Sequence, residues 1–416
     1  MVPVLISTLG VTTSGVWFAF QGFLAFAQLS DFGFGFAISR QVAFTLASRT
    51  RMARHDLLEF EPGWAGVIAI ADMSLKIYAG ICTLAIGALI VIFELIIPHT
   101  EMHSAAAPYR IAWYLAGSAG IATLAAGWQG ALLIGMGKTH WVRCLSGTCA
   151  LAQGTFVVIA ATLGGSLTSM SAVTFFTALL FLVAMHFLYR RSSVVKKSPL
   201  QKQSISRLAE FIRIAAPVGT VNVASFFFSS IQIPLLASLL GPEKIAPFYL
   251  AQKIGQFLNR VAIQSIQPQL PFFTNMLAAK HNKQARYCMI KSLIASSALL
   301  CGTSLIFLTT PLLTTAFHFE QNYPGIPTIT LMTFDYFLLG CTSSIAQFVL
   351  AAGRNPFIYS TLAAGLLNVA LIFLLVPQIG LVALPFSTII SGLLTNYWLA
   401  PATGLALLNS LNSQSR

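Results

Sequence analysis

Long apolar segments are the feature that most restricts how this chain can fold. A helix needs about 20 apolar residues to cross the hydrocarbon core of a bilayer. Segments of that length occur at 14–38, 76–98, 111–136, 143–164, 169–189, 211–240, 245–275, 288–313, 327–352, 357–376 and 381–404, after a short apolar segment at 1–9. The chain is 56% hydrophobic and 8% charged, whereas soluble domains carry about 25% charged residues. The pattern predicts an all-α integral membrane protein with no soluble catalytic domain.

Basic residues are distributed unevenly among the connections between these segments. The net charge of +13 does not indicate a nucleic-acid partner, because the basic residues do not cluster on an aromatic-bearing soluble domain. One set of alternate connections holds nearly all of them, at 40–54, 76, 138–143, 190–213, 280–291, 354 and 416. The opposite set holds only Arg110 and Lys244. Since cytoplasmic loops carry the excess of Lys and Arg, the pattern predicts a multi-pass protein with a cytoplasmic C-terminus.

An internal repeat indicates two halves. Residues 2–21 align without gaps on residues 233–252, so that Pro3, Leu5, Ser7, Leu9, Gly10 and Gln21 match Pro234, Leu236, Ser238, Leu240, Gly241 and Gln252. Gly137–Lys138 falls in the same order on Gly353–Arg354. The repeat predicts an N-terminal half bundle at 1–189, a basic cytoplasmic linker at 190–210 and a C-terminal half bundle at 211–416.

The repeat also makes the two halves unequal. The second-half partner of the N-terminal segment begins near Phe211, about a full span before Gly241, whereas the first half has only the final turns of that helix. We therefore expect a design of twelve helices in two pseudo-symmetric six-helix bundles, from which about 20 residues of the first helix are missing.

The segment 245–275 carries two cations and no acid. At 100° per residue, Lys253, Gln256, Arg260, Gln264 and Gln267 fall on one narrow stripe. A cation at the middle of a bilayer costs about 2.5–3.5 kcal/mol on insertion scales. The stripe predicts a cationic wall of a water-filled cavity that receives an anion. The alternatives are structural ion pairs, or long side chains that reach the membrane interface.

Three more charged residues are candidates for a gate or for ion coupling. Asp31 lies nine residues before Arg40, and the two residues form either a gate ion pair or a coupling site with a titrating carboxylate. An interfacial acid is the alternative for Asp31. Asp335 is the only acid of its span and either pairs with Lys253 or Arg260 or lies at the outer mouth. We predict no metal site, because HTEMH at 99–103 does not have the order H-E-x-x-H.

Three segments of the chain resemble a known family. They are QLSDFGFGFAISRQVA at 28–43, GPEKIAPFYLAQKI at 241–254, and the segment 350–394 with its glycine–base, helix, Pro-x-x-Gly, helix pattern. In this order and spacing they resemble the bacterial polysaccharide flippases of the Wzx type, which export O-antigen and capsule repeat units. This family lies within the MATE-like superfamily of lipid-linked oligosaccharide and drug transporters. The resemblance covers nearly the whole chain.

The resemblance implies a flippase of the bacterial inner membrane, and not an enzyme. Such a protein moves an undecaprenyl-pyrophosphate-linked oligosaccharide to the periplasmic leaflet by alternating access of two halves around a central cavity. Lys253 and Arg260 then become candidate pyrophosphate or acidic-sugar contacts, and the three glutamines become candidate contacts to sugar hydroxyls. We expect no cofactor, and coupling to H⁺ or Na⁺ stays open. Membrane lipids and other polysaccharide-assembly membrane proteins are candidate partners.

Two other functions stay open at this stage. A MATE-type ion-coupled exporter of drugs or organic cations is the main alternative, and it would place acids rather than bases in its cavity. A membrane glycan polymerase is a weaker alternative, because it would carry a sizeable outer loop with clustered Arg and His. The longest outer connection here, at 99–110, is short.

Overall fold

The computed structural model describes residues 2–29, 31–52, 62–96, 106–192, 206–278, 281–316, 323–352 and 355–413, and all regular elements in these ranges are helical. The chain forms two compact units, Met1–Val223 and Ala224–Arg416, here called the N-terminal and C-terminal units. This boundary follows the predicted linker at 190–210 by one helix. The reason is that the helix after the linker packs into the N-terminal unit, where Ala215 is buried in the core.

The N-terminal unit consists of eight described helices. They are α1 (Val2–Leu9), α2 (Val11–Leu29), α3 (Phe34–Met52), α4 (Pro62–Ile96), α5 (Ala106–Gly135), α6 (Thr139–Thr162), α7 (Leu167–Arg191) and α8 (Ser206–Ser225). Helix α5 packs along α7, α3 and α4. One core cluster of this unit contains Ile38 of α3, Tyr78 of α4, and Trp128 and Leu132 of α5.

The C-terminal unit begins with a π-helical turn at Phe226–Ser230. The helices that follow are α9 (Gln232–Leu240), α10 (Ile245–Gln264), α11 (Gln269–Ala278), α12 (Asn282–Ala316), α13 (Ile326–Ala351), α14 (Ile358–Ile379), α15 (Ala383–Leu394) and α16 (Asn396–Ser413). Its main core packs the Phe273 and Phe348 rings edge to face at 5.0 Å, next to Met289 and Leu407.

The internal repeat is visible in the backbone of the two units. Gly10 ends α1 with φ 78° and Gly241 ends α9 with φ 79°. Gly164 precedes α7 with φ 77°, and Gly380 precedes α15 with φ 62°. Glycine is the residue that adopts this left-handed conformation without a steric penalty. Left-handed glycines therefore end helices in both units, and Gly10 and Gly241 do so at positions that the sequence repeat aligns.

The described residues contain eight helical segments that are long and apolar enough to span a membrane. One of them, Ile358–Ser413, contains two of the spans predicted from sequence. This confirms an all-α, multi-pass membrane protein. Helix α4, however, begins at Pro62 rather than at residue 76, so part of the predicted 39–75 loop belongs to a membrane helix. Proline is favoured at the first position of a helix.

Two of the predicted spans are interrupted in the structure by turns of several residues. The segment 14–38 turns between α2 and α3, where Phe32 has φ 43° and Gly33 has φ 74°. The segment 245–275 turns at 265–268, between α10 and α11. Pro268 cannot donate a backbone hydrogen bond and disfavours a continuous helix through this turn. The prediction of unbroken spans at these two places was wrong.

Gly135, the last residue of α5, allows close contact with α3. A Cβ atom at Gly135 would lie 2.6 Å from the carbonyl oxygen of Ser39 and 2.7 Å from Cβ of Val42. We expect Gly135→Ala to destabilise the folded protein by about 1–3 kcal/mol, because neither neighbour is the free end of a side chain. Thermal unfolding in detergent measures the change.

Gly147→Ala is the matched control for this prediction. Gly147 lies within α6, and no heavy atom lies within 4 Å of a Cβ built there. Alanine is favoured over glycine inside a helix by about 1 kcal/mol, so this variant is expected to unfold at the wild-type temperature or above it. Equal unfolding temperatures for Gly135→Ala and the wild type would contradict the close contact of α3 and α5.

Candidate functional site

Helix α10 has one face that is fixed by buried amide groups. Gln252 donates from Nε2 to Oε1 of Gln232 at 3.1 Å, and Gln232 donates from Nε2 to the Thr388 hydroxyl at 3.3 Å. Asn259 donates from Nδ2 to the backbone carbonyl of Tyr336 at 2.9 Å. The Tyr336 hydroxyl donates to the backbone carbonyl of Gln252 at 3.2 Å. These bonds attach α10 to α9 and α13, and Gln232 in turn attaches α9 to α15.

A glycine allows this face of α10 to approach α13 closely. A Cβ atom at Gly255 would lie 2.2 Å from the ring of Tyr336. About two turns further along, the Ser296 hydroxyl of α12 donates to the backbone carbonyl of Ala262 at 3.4 Å. Gln252, Gly255, Asn259 and Ala262 are all buried and recur at the three- and four-residue spacing of one helix face. The rotation of α10 about its own axis is therefore fixed.

The opposite face of α10 is exposed on the C-terminal unit. Lys253, Arg260 and Gln264 are exposed and Gln256 is half-buried. The Lys253 ammonium lies 4.9 Å from the centroid of the Tyr249 ring and 3.5 Å from Oε1 of Gln256. Four of the five predicted stripe residues therefore lie on one accessible helix face.

The two cations of this stripe have no acidic partner in the described part of the chain. The ion pair found there joins Lys76 to Asp72 in α4. A structural ion pair therefore does not account for Lys253 or Arg260 among the described residues. Phe257 lies on the same arc, and its side chain is 65% exposed. The stripe presents two positive charges, amide groups and one aromatic ring.

Gln267 differs from the other residues of the stripe. It is exposed, but it lies in the turn at 265–268 rather than on α10. Because α10 ends at Gln264, the 100° spacing no longer determines the direction of the Gln267 side chain. The stripe on the helix thus contains four residues, and Gln267 follows it in the turn.

Asp335 lies inside the C-terminal unit. Its side chain is 7% exposed, and its Oδ1 accepts a hydrogen bond from the Tyr397 hydroxyl at 2.7 Å. The predicted pairing of this acid with Lys253 or Arg260 is not found among the described residues, and the alternative position at the outer mouth stays a prediction. The hydrogen-bond partner that the structure provides is instead a tyrosine of α16.

Asp31 joins the start of α3 to α4. The Tyr78 hydroxyl of α4 donates to Oδ1 of Asp31, and the Gly35 backbone N–H lies 3.3 and 3.4 Å from its two carboxylate oxygens. An anion at the N-terminus of a helix is stabilised by the helix dipole. These contacts give Asp31 a role in forming the turn before α3, and Arg40 lies exposed on that helix. A gate or coupling role for the two residues stays a prediction.

Sequence analysis missed the buried half of the site. Side chains from four different helices hold α10 and Asp335 in place, namely Gln232, Gln252, Tyr336 and Tyr397. Two signals were available. Gln252 and Asn259 lie seven residues apart on one arc, about 100° from the cations that directly follow them, and Gln252 aligns with Gln21 in the repeat. Within the described residues there is no group of three metal-ligating side chains, and the HTEMH segment lies outside them.

No protein-family model and no curated protein matches the sequence. Solved structures do match. An inward-facing multidrug resistance MATE family transporter of the MOP superfamily superposes with a TM-score of 0.75 at 14% identity, over 99% of this chain and 94% of that one. An outward-facing structure with the same description gives 0.66 at 13% identity, over 99% and 91%. The lipid II flippase MurJ, in an inward closed conformation, gives 0.63 at 13% identity, over 98% and 84%.

The fold is the MATE-like transporter fold. The predicted all-α architecture of two helical halves is thereby confirmed. A drug transporter and a lipid flippase both share this MATE-like fold with the chain. The choice between these two kinds of cargo therefore depends on the residues of the site.

Proposed function

We propose that this protein is a flippase of the bacterial inner membrane. Its cargo is an undecaprenyl-pyrophosphate-linked oligosaccharide, moved by alternating access for the assembly of a surface polysaccharide. The observation that supports this proposal is the exposed stripe on α10, where Lys253 and Arg260 have no acid beside them among the described residues. Two uncompensated cations in a membrane protein need an anionic partner or water.

The side chains of the stripe suit this cargo chemically. Arg260 offers a planar fork of donors and Lys253 a compact charge, and both match the oxygens of a pyrophosphate. Gln256 and Gln264 offer donors and acceptors to sugar hydroxyls. Phe257 offers an apolar ring face beside them. The anion and the adjoining sugars thus find complementary groups within two to three turns of one helix.

A MATE-type exporter of organic cations is the second candidate. The high structural similarity to a multidrug resistance transporter favours it, and so does the buried carboxylate of Asp335. A cationic cargo, however, would meet positive side chains on the accessible face of α10. Asp335 is directed to Tyr397 within the C-terminal unit. The charge of the accessible face thus favours the anionic cargo.

Transport in proteoliposomes separates the two candidates. We expect the purified protein to move a fluorescent undecaprenyl-pyrophosphate-linked sugar between leaflets, and to leave ethidium, an organic cation, outside. Dithionite quenching of the outer leaflet measures the first activity, and dye accumulation in the vesicles measures the second. Ethidium uptake without lipid movement would overturn the proposed cargo. Protein-free vesicles provide the background rate.

A further inference from the structure

The N-terminal unit contains a cavity that the proposed function does not use. It has a volume of about 530 Å³ and lies between α4, α5 and α7. Its polar lining consists of Asp72, Gln129, His186 and Arg190, and the Trp128 and Tyr189 rings stand beside them, edge to face at 5.2 Å. Ile68, Leu75 and Leu182 form an apolar wall. The cavity is therefore amphipathic and large enough for the polar part of a small molecule.

Gln129 gives this cavity an unsatisfied acceptor. The residue is 4% exposed, and its Nε2 lies 3.2 Å from Nδ1 of His186. Its Oε1 is buried without a hydrogen-bond partner in the described part of the chain. Leaving a buried acceptor unpaired costs about 1–3 kcal/mol. A ligand with a hydroxyl donor would remove that cost.

The charges around the cavity favour an anion. Asp72 is already paired with Lys76 at 2.7 Å, so its carboxylate is largely compensated. Arg190 is exposed on the rim of the cavity and supplies a guanidinium, which binds phosphate oxygens in a bidentate manner. Arg190 is therefore the charged lining residue that has no ion-pair partner in the described part of the chain.

The position of the cavity corresponds to the headgroup level of a membrane. His186 and Arg190 lie in the last two turns of α7, and Gln129 lies less than two turns from the end of α5. This is the end of the bundle where Lys138, Arg143 and Arg191 also lie. Basic pockets between membrane helices at that level are typical sites for anionic lipid headgroups.

We propose that this cavity binds one anionic phospholipid whose headgroup carries hydroxyl donors, as phosphatidylglycerol does. The phosphodiester accepts hydrogen bonds from Arg190, and a glycerol hydroxyl donates to Oε1 of Gln129. One acyl chain lies along Leu75 and Leu182. The site lies in the N-terminal unit and does not depend on the cargo bound at α10.

Lipid retention by the purified full-length protein tests this site. Native mass spectrometry with added phosphatidylglycerol or phosphatidylcholine is expected to show one phosphatidylglycerol that is retained about tenfold more strongly. Arg190→Gln should reduce this retention about tenfold, the effect of one lost charge-assisted hydrogen bond. Arg191→Gln is the matched control, because Arg191 is an adjacent exposed arginine that does not line the cavity. Equal losses in the two variants, or equal retention of the two lipids, would overturn the proposal.

Two further comparisons test the hydroxyl contact and the cavity itself. Phosphatidylmethanol has the same phosphodiester charge and no headgroup hydroxyl. The wild type should retain it several-fold less than phosphatidylglycerol, and Gln129→Leu should abolish the difference. Ala125→Phe, which fills the cavity and keeps every charge, should release both lipids. Retention of phosphatidylglycerol by a folded Ala125→Phe variant would place the lipid elsewhere and refute the assignment.

Discussion

Replacing Arg260 by alanine is expected to stall export while the protein stays folded and inserted in the membrane. The side chain is exposed and has no acidic partner among the described residues, so its removal leaves no buried charge behind. A charge-assisted hydrogen bond contributes about 1.5–3 kcal/mol, which corresponds to a loss in cargo affinity of roughly 10- to 100-fold. Accumulation of lipid-linked glycan on the cytoplasmic side measures the loss in cells, and the leaflet-quenching assay measures it in vesicles.

Lys244→Ala is the matched control for Arg260→Ala. Lys244 is an exposed cation directly before α10, and it lies outside the helix that carries the stripe. Its removal is expected to leave transport at the wild-type rate. Arg260→Lys should retain part of the activity, because the charge remains and the donor fork is lost. Normal export by Arg260→Ala would refute the assignment of the stripe to cargo binding.

Gly255→Leu is expected to have the largest structural effect of any single change at this site. A Cβ atom at Gly255 would already lie 2.2 and 2.5 Å from atoms of the Tyr336 ring, and leucine adds three more carbon atoms. Tyr336 cannot simply rotate away, because its hydroxyl and backbone carbonyl are both bonded to α10. Overpacking a core costs about 1–3 kcal/mol and at times more, and we expect the upper end of that range here.

The yield of monodisperse protein and its unfolding temperature in detergent measure this effect. Gly302→Leu is the control, because Gly302 is exposed on α12 and no heavy atom lies within 4 Å of a Cβ built there. The control should give wild-type yield and stability. If Gly255→Leu were equally stable, α10 and α13 would be further apart than the structure places them.

The architecture could be predicted from sequence because apolar length and loop charge are local properties. The two broken spans could not be predicted in the same way. The left-handed Phe32 is held where α8 approaches it closely, and a Cβ at Gly219 would lie 2.4 Å from the Phe32 carbonyl oxygen. That contact joins residues far apart in the chain. No pattern within the segment 14–38 contains it.

The same distinction between local patterns and contacts far apart in the chain applies to the candidate site. The 100° periodicity placed Lys253 and Arg260 on one face correctly, because α10 is regular between them. The neighbours of the buried face were not predictable, since they come from α9, α12 and α13. Asp335 shows this most clearly. Its hydrogen-bond partner, Tyr397, is 62 positions away in the sequence. This tyrosine competes with any cation for the Asp335 carboxylate.

The two faces of α10 have different roles, and this affects how the protein can change in evolution. Buried amides and one glycine fix the helix on one side. The residues on the other side are exposed and do little to hold the helix in place. Substitutions on the accessible face can therefore arise in single steps, each without repacking, so that the proposed cargo site can change while the scaffold stays the same.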